Sequence, residues 1–165
     1  MDKLGYAPTP AIQWSPPVVL VGEDNPYSLD ARYALFDLPE RAAGHRLRTL
    51  VFGVRRTTYA RFHRMNCCLG KWSMREARER LLLAFNDLPE GATFMFVGRK
   101  VHEAAGCGHL PVFSWWDWQG DTNRHTAILL PHPSGRNRAW NEPGAVERAR
   151  NLLRERRPDI PWGEE

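Results

Sequence analysis

Three short runs in this chain are apolar at every position: Val18 to Val21, Phe94 to Val97 and Ala127 to Leu130. A strand with one wet face alternates apolar and polar residues, so an unbroken run specifies a strand covered on both sides. Pro17 and Gly22 bound the first run, and Thr93 and Gly98 bound the second. Helical patterns lie between the runs. Ser73-Met-Arg-Glu76 reads as a capping box, followed by Ala77, Leu81, Ala84 and Phe85 on one face, with Pro89 and Gly91 closing the helix. Arg41–Val54 reads as a second helix, with Leu47, Leu50 and Val51 on one face. Arg99–Ala105 ends at Gly106, and a last helix runs from about Asn141 to Arg156 with Ala145, Val146, Ala149, Leu152 and Leu153 inward. Tyr59–Met65 alternates weakly and is expected to form one more strand, ending at Asn66. Residues 107–124, with Trp115, Trp116 and Trp118, read as a long connection.

Short buried strands alternating with helices predict an α/β fold, a three-layer α/β/α sandwich around a mostly parallel four-stranded sheet. The expected organisation is an irregular arm over 1–16, one domain over 17–157 and a tail over 158–165. The 165 residues suit one domain. No apolar run approaches the ~20 residues of a membrane span, and no apolar stretch follows a basic start at Met1. Three cysteines, an odd number, argue for a reduced, cytoplasmic setting without a disulfide framework. We expect a monomer that does not engage membranes.

The formal charge is +4, and 20 of the 23 cationic residues are Arg. Arg suits phosphate and base contacts; Arg-rich codon usage would give the same ratio. Position is more informative than the ratio. From Arg41 to Arg75 there are nine Arg or Lys and no Asp or Glu, with Tyr59, Phe62 and Trp72 interleaved. A block of one sign makes a field that attracts polyanions, so nucleic acid is the expected partner.

In a mostly parallel sheet, sites form beyond the carboxyl ends of the strands. There this chain carries Gly22-Glu-Asp-Asn-Pro-Tyr-Ser28, Arg64-Met-Asn66 and His132-Pro-Ser-Gly-Arg-Asn137. In order and placement these resemble the motifs of the uracil-DNA glycosylase superfamily, over roughly residues 17–156. The His132 motif looks most like the single-strand-selective monofunctional branch. The first loop departs from the family pattern by one residue, since three positions rather than two separate Gly22 from Pro26.

The resemblance implies a monofunctional glycosylase that flips a pyrimidine nucleotide from DNA and hydrolyses its N-glycosidic bond, most simply at uracil. It implies that His132 holds the charge developing on the base carbonyl and that Asn25 places the water. Counting from Gly22 instead gives that place to Asp24. Tyr27 falls where the family crowds C5 of the base, Phe36 is a candidate stacking platform, and Asn66 is the candidate reader of the base edge. Pro133, Ser134 and Gly135 would pinch the DNA backbone, Arg136 would fill the gap left by the flipped base, and Arg138 would also face DNA. Arg154, Arg156 and Arg157 read as a solvated helix face.

No metal or cofactor is expected. The cysteines lack the number and spacing of the family's iron–sulfur branches, and the six His show no zinc spacing. Three other readings stay open. One is a glycosylase for a larger modified pyrimidine, such as hydroxymethyluracil or a modified base of foreign DNA. Another is a non-catalytic nucleic-acid-binding module, and the third is an unrelated nucleotide hydrolase.

Overall fold

The computed structural model describes residues 11–24 and 28–165. Five strands form one sheet: β1 (Val18–Gly22), β2 (His63–Asn66), β3 (Thr93–Val97), β4 (Ser114–Gln119) and β5 (Arg124–Leu130). Their order is β2-β1-β3-β5-β4. The first four in that order run parallel, and β4 pairs antiparallel with β5. Every residue of β1 and β3 is buried.

Alternate residues feed two separate cores. Val18, Leu20, Met95, Val97, Ile128 and Leu130 face one side, where they meet Leu47, Val51, Ala149 and Leu153. Val19, Val21, Phe94, Phe96, Ala127 and Leu129 face the other, against Ala77, Leu81, Val101 and Ala104. On the first side lie the short helices α1 (Ala43–Arg46) and α2 (Arg56–Tyr59) and the C-terminal helix α5 (Ala145–Arg156); on the second lie α3 (Met74–Asp87) and α4 (Arg99–Ala105). The protein is therefore an α/β protein with helices on both faces of a mostly parallel sheet.

Five strands replace the expected four. Residues 107–124 are not a plain connection, because Ser114–Gln119 forms the edge strand β4. Its SWWDWQ sequence is β-prone in composition, and Trp116 and Trp118 pack on Phe96 and Phe94 of the inner sheet. The strand expected over Tyr59–Met65 begins only at His63. Tyr59 instead closes α2, which buries its ring and lets its hydroxyl donate to the Leu35 carbonyl at 2.6 Å. Arg41 and Ala42 lie outside the helix expected from 41, which spans Ala43–Phe52 and widens to π geometry from Leu47. Leu47, Arg48, Val51 and Phe52 are all buried there. Gly53, at φ +57°, ends it. The last helix starts at Ala145 and follows a 3-10 turn over Arg138–Asn141.

The capping box forms by half. Ser73 Oγ accepts from the Glu76 amide at 3.3 Å, but the Glu76 carboxylate accepts from Leu69 N–H and not from Ser73. The C-terminal tail is part of the core: Ile160 and Trp162 are each 2% exposed, and Trp162 stacks on Phe62. Arg157 leaves the solvated face expected for it. It is buried, bonded to Asp159 and to the Pro16 carbonyl, because the tail turns back over it. Among the described residues, no helix is long and apolar enough to cross a membrane.

One glycine fixes how the segment before α1 docks. A Cβ on Gly44 would lie 2.1 Å from the Leu35 carbonyl oxygen and 2.3 Å from that of Phe36. Backbone cannot yield as a side chain does, so Gly44→Ala is expected to cost about 3 kcal/mol, read as a lower midpoint in urea unfolding. An unchanged midpoint would show that the 35–44 segment is not held against α1.

Candidate functional site

The carboxyl ends of the parallel strands converge on one edge of the sheet. There β1 delivers Glu23 and Asp24, β2 delivers Asn66, β3 ends at Gly98, and β5 runs into Pro131 and His132. Beside this edge lies a pocket of about 390 Å³. Asp24, His132, Ser134, Gly135 and Arg136 line one side; Tyr33, Leu35, Phe36, Arg41 and Gly44 are among the residues lining the rest. The 33–44 segment can form that wall because Gly44 admits it closely and because the Tyr59 hydroxyl fixes the Leu35 carbonyl. Leu35 itself sits at φ +47°.

His132 is the best-defined polar group in the pocket. Its Nδ1 accepts a hydrogen bond from the Ser134 backbone amide at 3.1 Å. An amide can only donate, so Nδ1 carries no proton and the neutral ring holds its proton on Nε2. Burial pushes the imidazole pKa below its ordinary value, against an upward pull from the Glu23 and Asp24 carboxylates. The result is a neutral ring with an Nε2–H donor. Glu23 lies close by: a Cβ on Gly98 would stand 2.9 Å from its Oε1 and 3.4 Å from His132 Cδ2. Gly98, at φ +105°, thus leaves room for both side chains.

The loop after His132 is pinned from below. Arg46 of α1 donates from Nε to the Pro133 carbonyl, and the Trp140 indole donates to the Pro131 carbonyl at 3.1 Å. Phe36 is 5% exposed, with its ring edge-on to Tyr33 and the Arg64 guanidinium 5.4 Å from its centroid.

Asn66 lies one layer behind. It pairs with Gly22 across the strands, and a Cβ on Gly22 would lie 2.8 Å from Asn66 Oδ1 and 2.9 Å from Leu35 Cδ2. Asn66 Oδ1 is buried without a hydrogen-bond partner among the described residues. A buried polar atom left unpaired costs about 1–3 kcal/mol.

The structure therefore brings Asp24, Phe36, His132, Ser134, Gly135 and Arg136 to one cavity. Asn66 abuts its floor at Gly22 without lining it. Pro133 and Arg138 lie outside the wall: Pro133 faces a neighbouring groove with Arg46 and Trp140, and Arg138 opens the exposed 138–141 turn. Asn25 and Tyr27 lie outside the described residues. Sequence reading named Arg41 only as the start of the acid-free block expected to face nucleic acid, and did not single out Tyr33 or Gly44; all three reach the pocket through the folding of 33–44. Glu23 was signalled by its place in the first loop. Among the described residues, no three His, Cys, Asp or Glu side chains gather as a metal site. Burial pushes the Cys67 and Cys107 thiols up to about 12, so neither presents a thiolate at neutral pH.

This arrangement can donate one hydrogen bond from a neutral imidazole to a carbonyl gaining negative charge, and it offers a carboxylate to a water or a cation. No protein-family model matches the chain, and a search of curated proteins finds no match.

The His132 environment makes a direct prediction. In a nitrogen-detected NMR titration the ring should be the Nε2–H tautomer at neutral pH, with a midpoint below 6.5. A midpoint lower in the folded than in the unfolded chain means the unfolded state binds the extra proton first. His132 should thus favour folding fully above about pH 6.5, and that contribution should fall as pH drops toward its folded midpoint. An Nδ1–H tautomer or a midpoint above 6.5 would contradict this geometry.

Proposed function

We propose that this protein is a monofunctional DNA glycosylase. It draws a pyrimidine nucleotide out of the strand and hydrolyses the bond between base and sugar, uracil being the simplest base. The observation that supports this reading most is the meeting of Asp24, Phe36 and His132 in one pocket, with a neutral Nε2–H donor as its best-defined polar group.

The chemistry follows from what the bond needs. As it breaks, its electron pair leaves with the base, and the sugar gains oxocarbenium character. A preorganised donor on the base carbonyl stabilises that leaving anion without reorganising during the reaction. His132 fills this role as a neutral donor. The Asp24 carboxylate faces the electron-poor sugar and orients or deprotonates the attacking water, whose oxygen forms the new bond at C1′. In the register that counts from Pro26, Asn25 holds the same water. Phe36 lines the pocket as the candidate stacking ring, whereas Asn66, buried behind Gly22, acts on the base edge only if the floor at Gly22 shifts to expose it. The Ser134–Arg136 loop meets the strand, whose flipping costs a few kcal/mol. A pocket of about 390 Å³ falls in the range that takes whole ligands, so a pyrimidine carrying a ring substituent is a second substrate of the same reading.

The test is base release from single- and double-stranded DNA carrying uracil or a modified pyrimidine, read as strand cleavage by alkali. His132→Ala should slow release by ~100-fold or more. Asp24→Asn should slow it by about 100-fold. If Asn25→Ala costs more than Asp24→Asn, the water belongs to Asn25. Salt-sensitive binding with no abasic product from any base would make the protein a binding module. Action on free deoxyuridine but not on DNA would make it a nucleotide hydrolase.

A further inference from the structure

The residues at the pocket mouth divide by charge. The carboxylates of Glu23 and Asp24 stand on the strand-end side with His132, whereas Arg41 and Arg136 come to the lining from two different segments. Some exposed arginines elsewhere, Arg32, Arg75, Arg99 and Arg154, lie within 3.2 Å of an Asp or Glu, while Arg55, Arg78, Arg124 and Arg138 are exposed without an ion pair among the described residues. Among the described residues, no carboxylate pairs with Arg41 or Arg136. What sets Arg41 and Arg136 apart from the other exposed arginines without an ion pair is that they line the pocket.

Arg41 is also held in an unusual backbone. Ala42 N–H donates to the Pro39 carbonyl at 3.0 Å, closing a four-residue turn with Arg41 at its third position, at φ +72°. That position of such a turn favours Gly, and a long side chain there stores strain. Nothing in the core needs this side chain, since it is exposed. A residue that strains its turn, is exposed, and lines a pocket with no ion pair among the described residues is accounted for by a ligand. The ligand's charge is set by its surroundings. A phosphate beside His132 would meet the Glu23 and Asp24 carboxylates, whereas beside Arg41 and Arg136 it meets guanidinium groups. The arrangement fits an uncharged base beside His132 and phosphates beside the arginines.

We propose that Arg41 is a phosphate-reading residue. Its guanidinium takes the phosphodiester on one side of the nucleotide in the pocket, the other side falling to the His132–Arg136 loop. The protein thereby selects a base carried within a strand over a free nucleoside. This rests on the glycosylase reading for what enters the pocket, but its test reads binding alone.

The test is fluorescence-anisotropy titration of a labelled single strand carrying one 2′-fluoro-deoxyuridine, which resists hydrolysis, across a range of salt. Arg41→Gly should bind about tenfold more weakly, with the slope of log affinity against log salt reduced by about one. Its melting temperature should be no lower than that of the parent, because Gly relieves the turn. Replacing single phosphates beside the fluorinated nucleotide by neutral methylphosphonates should weaken the parent at one position and leave Arg41→Gly indifferent there. Unchanged affinity and slope in Arg41→Gly would overturn the proposal. So would a fall in melting temperature that accompanies the loss, since it would assign Arg41 to the fold. A parent protein that binds as proposed yet releases no base from deoxyuridine strands would sink the glycosylase reading and leave the phosphate contact standing. Normal base release with an indifferent Arg41→Gly would do the reverse.

Discussion

Burial of β1, β3 and β5 on both faces is the constraint on which the rest of the structure depends. Inside those strands a polar side chain must be satisfied by the fold itself, as His125 is by the Ala92 amide and the Phe85 carbonyl, because both faces are dry and the backbone groups are already paired in the ladders. The chain can present chemistry only where the strands stop. Parallel pairing sends those stops to the same edge, so Asp24, Asn66 and His132 come together from three distant parts of the sequence. Glycines adjust the spacing at that edge. Gly22 leaves room for Asn66 and Leu35, and Gly98 leaves room for Glu23 and His132.

The arginine excess divides into two populations. Some arginines are structural. Arg48 is buried beside the equally buried Asp37, its Nε 3.1 Å from the carboxylate, and Arg56 meets the same carboxylate from outside at 2.8 Å. Arg48 also reaches the Val54 carbonyl and Glu165, which ties the C-terminus to the 47–54 segment. Removing one partner of such a buried set would strand a charge, at about 3–5 kcal/mol. Arg46 and Arg80 hold backbone carbonyls of Pro133 and Asn66, and so brace the ends of β5 and β2. The second population, Arg41 and Arg136 at the pocket, has no such duty. The acid-free block from Arg41 to Arg75 is therefore not one nucleic-acid face: several of its charges are spent inside the fold.

Much of the fold was legible in the sequence because two-sided burial leaves a plain signature. The runs at 18–21, 94–97 and 127–130 mark their strands, and Ser73 marks the start of α3. Strand β4 was not legible: three Trp near Asp117 and Gly120 read as a loop until Trp116 and Trp118 are seen against Phe94 and Phe96 and Trp115 against the opposite core. Tyr59 and Arg157 misled for a related reason, since their roles depend on the distant partners Leu35 and Pro16. In the site, the strand-end residues Asp24 and His132 could be found from local spacing, and Phe36 from its distance to the first loop. Arg41 was legible only as the start of a basic block, and Gly44 not at all. Their importance arises from how the 33–44 segment folds against α1, and no local pattern encodes that docking.

The glycosylase reading joins these parts. A neutral donor on the leaving base, a carboxylate toward the sugar and cations at the rim match the charges that appear when such a bond breaks. The most direct measurement is a crystal structure of the protein with a single strand carrying 2′-fluoro-deoxyuridine. The account predicts the base turned out of the strand into the pocket, its ring against Phe36 and its carbonyl oxygen about 3 Å from His132 Nε2. A base left stacked in its strand, with the pocket empty beside bound DNA, would contradict it.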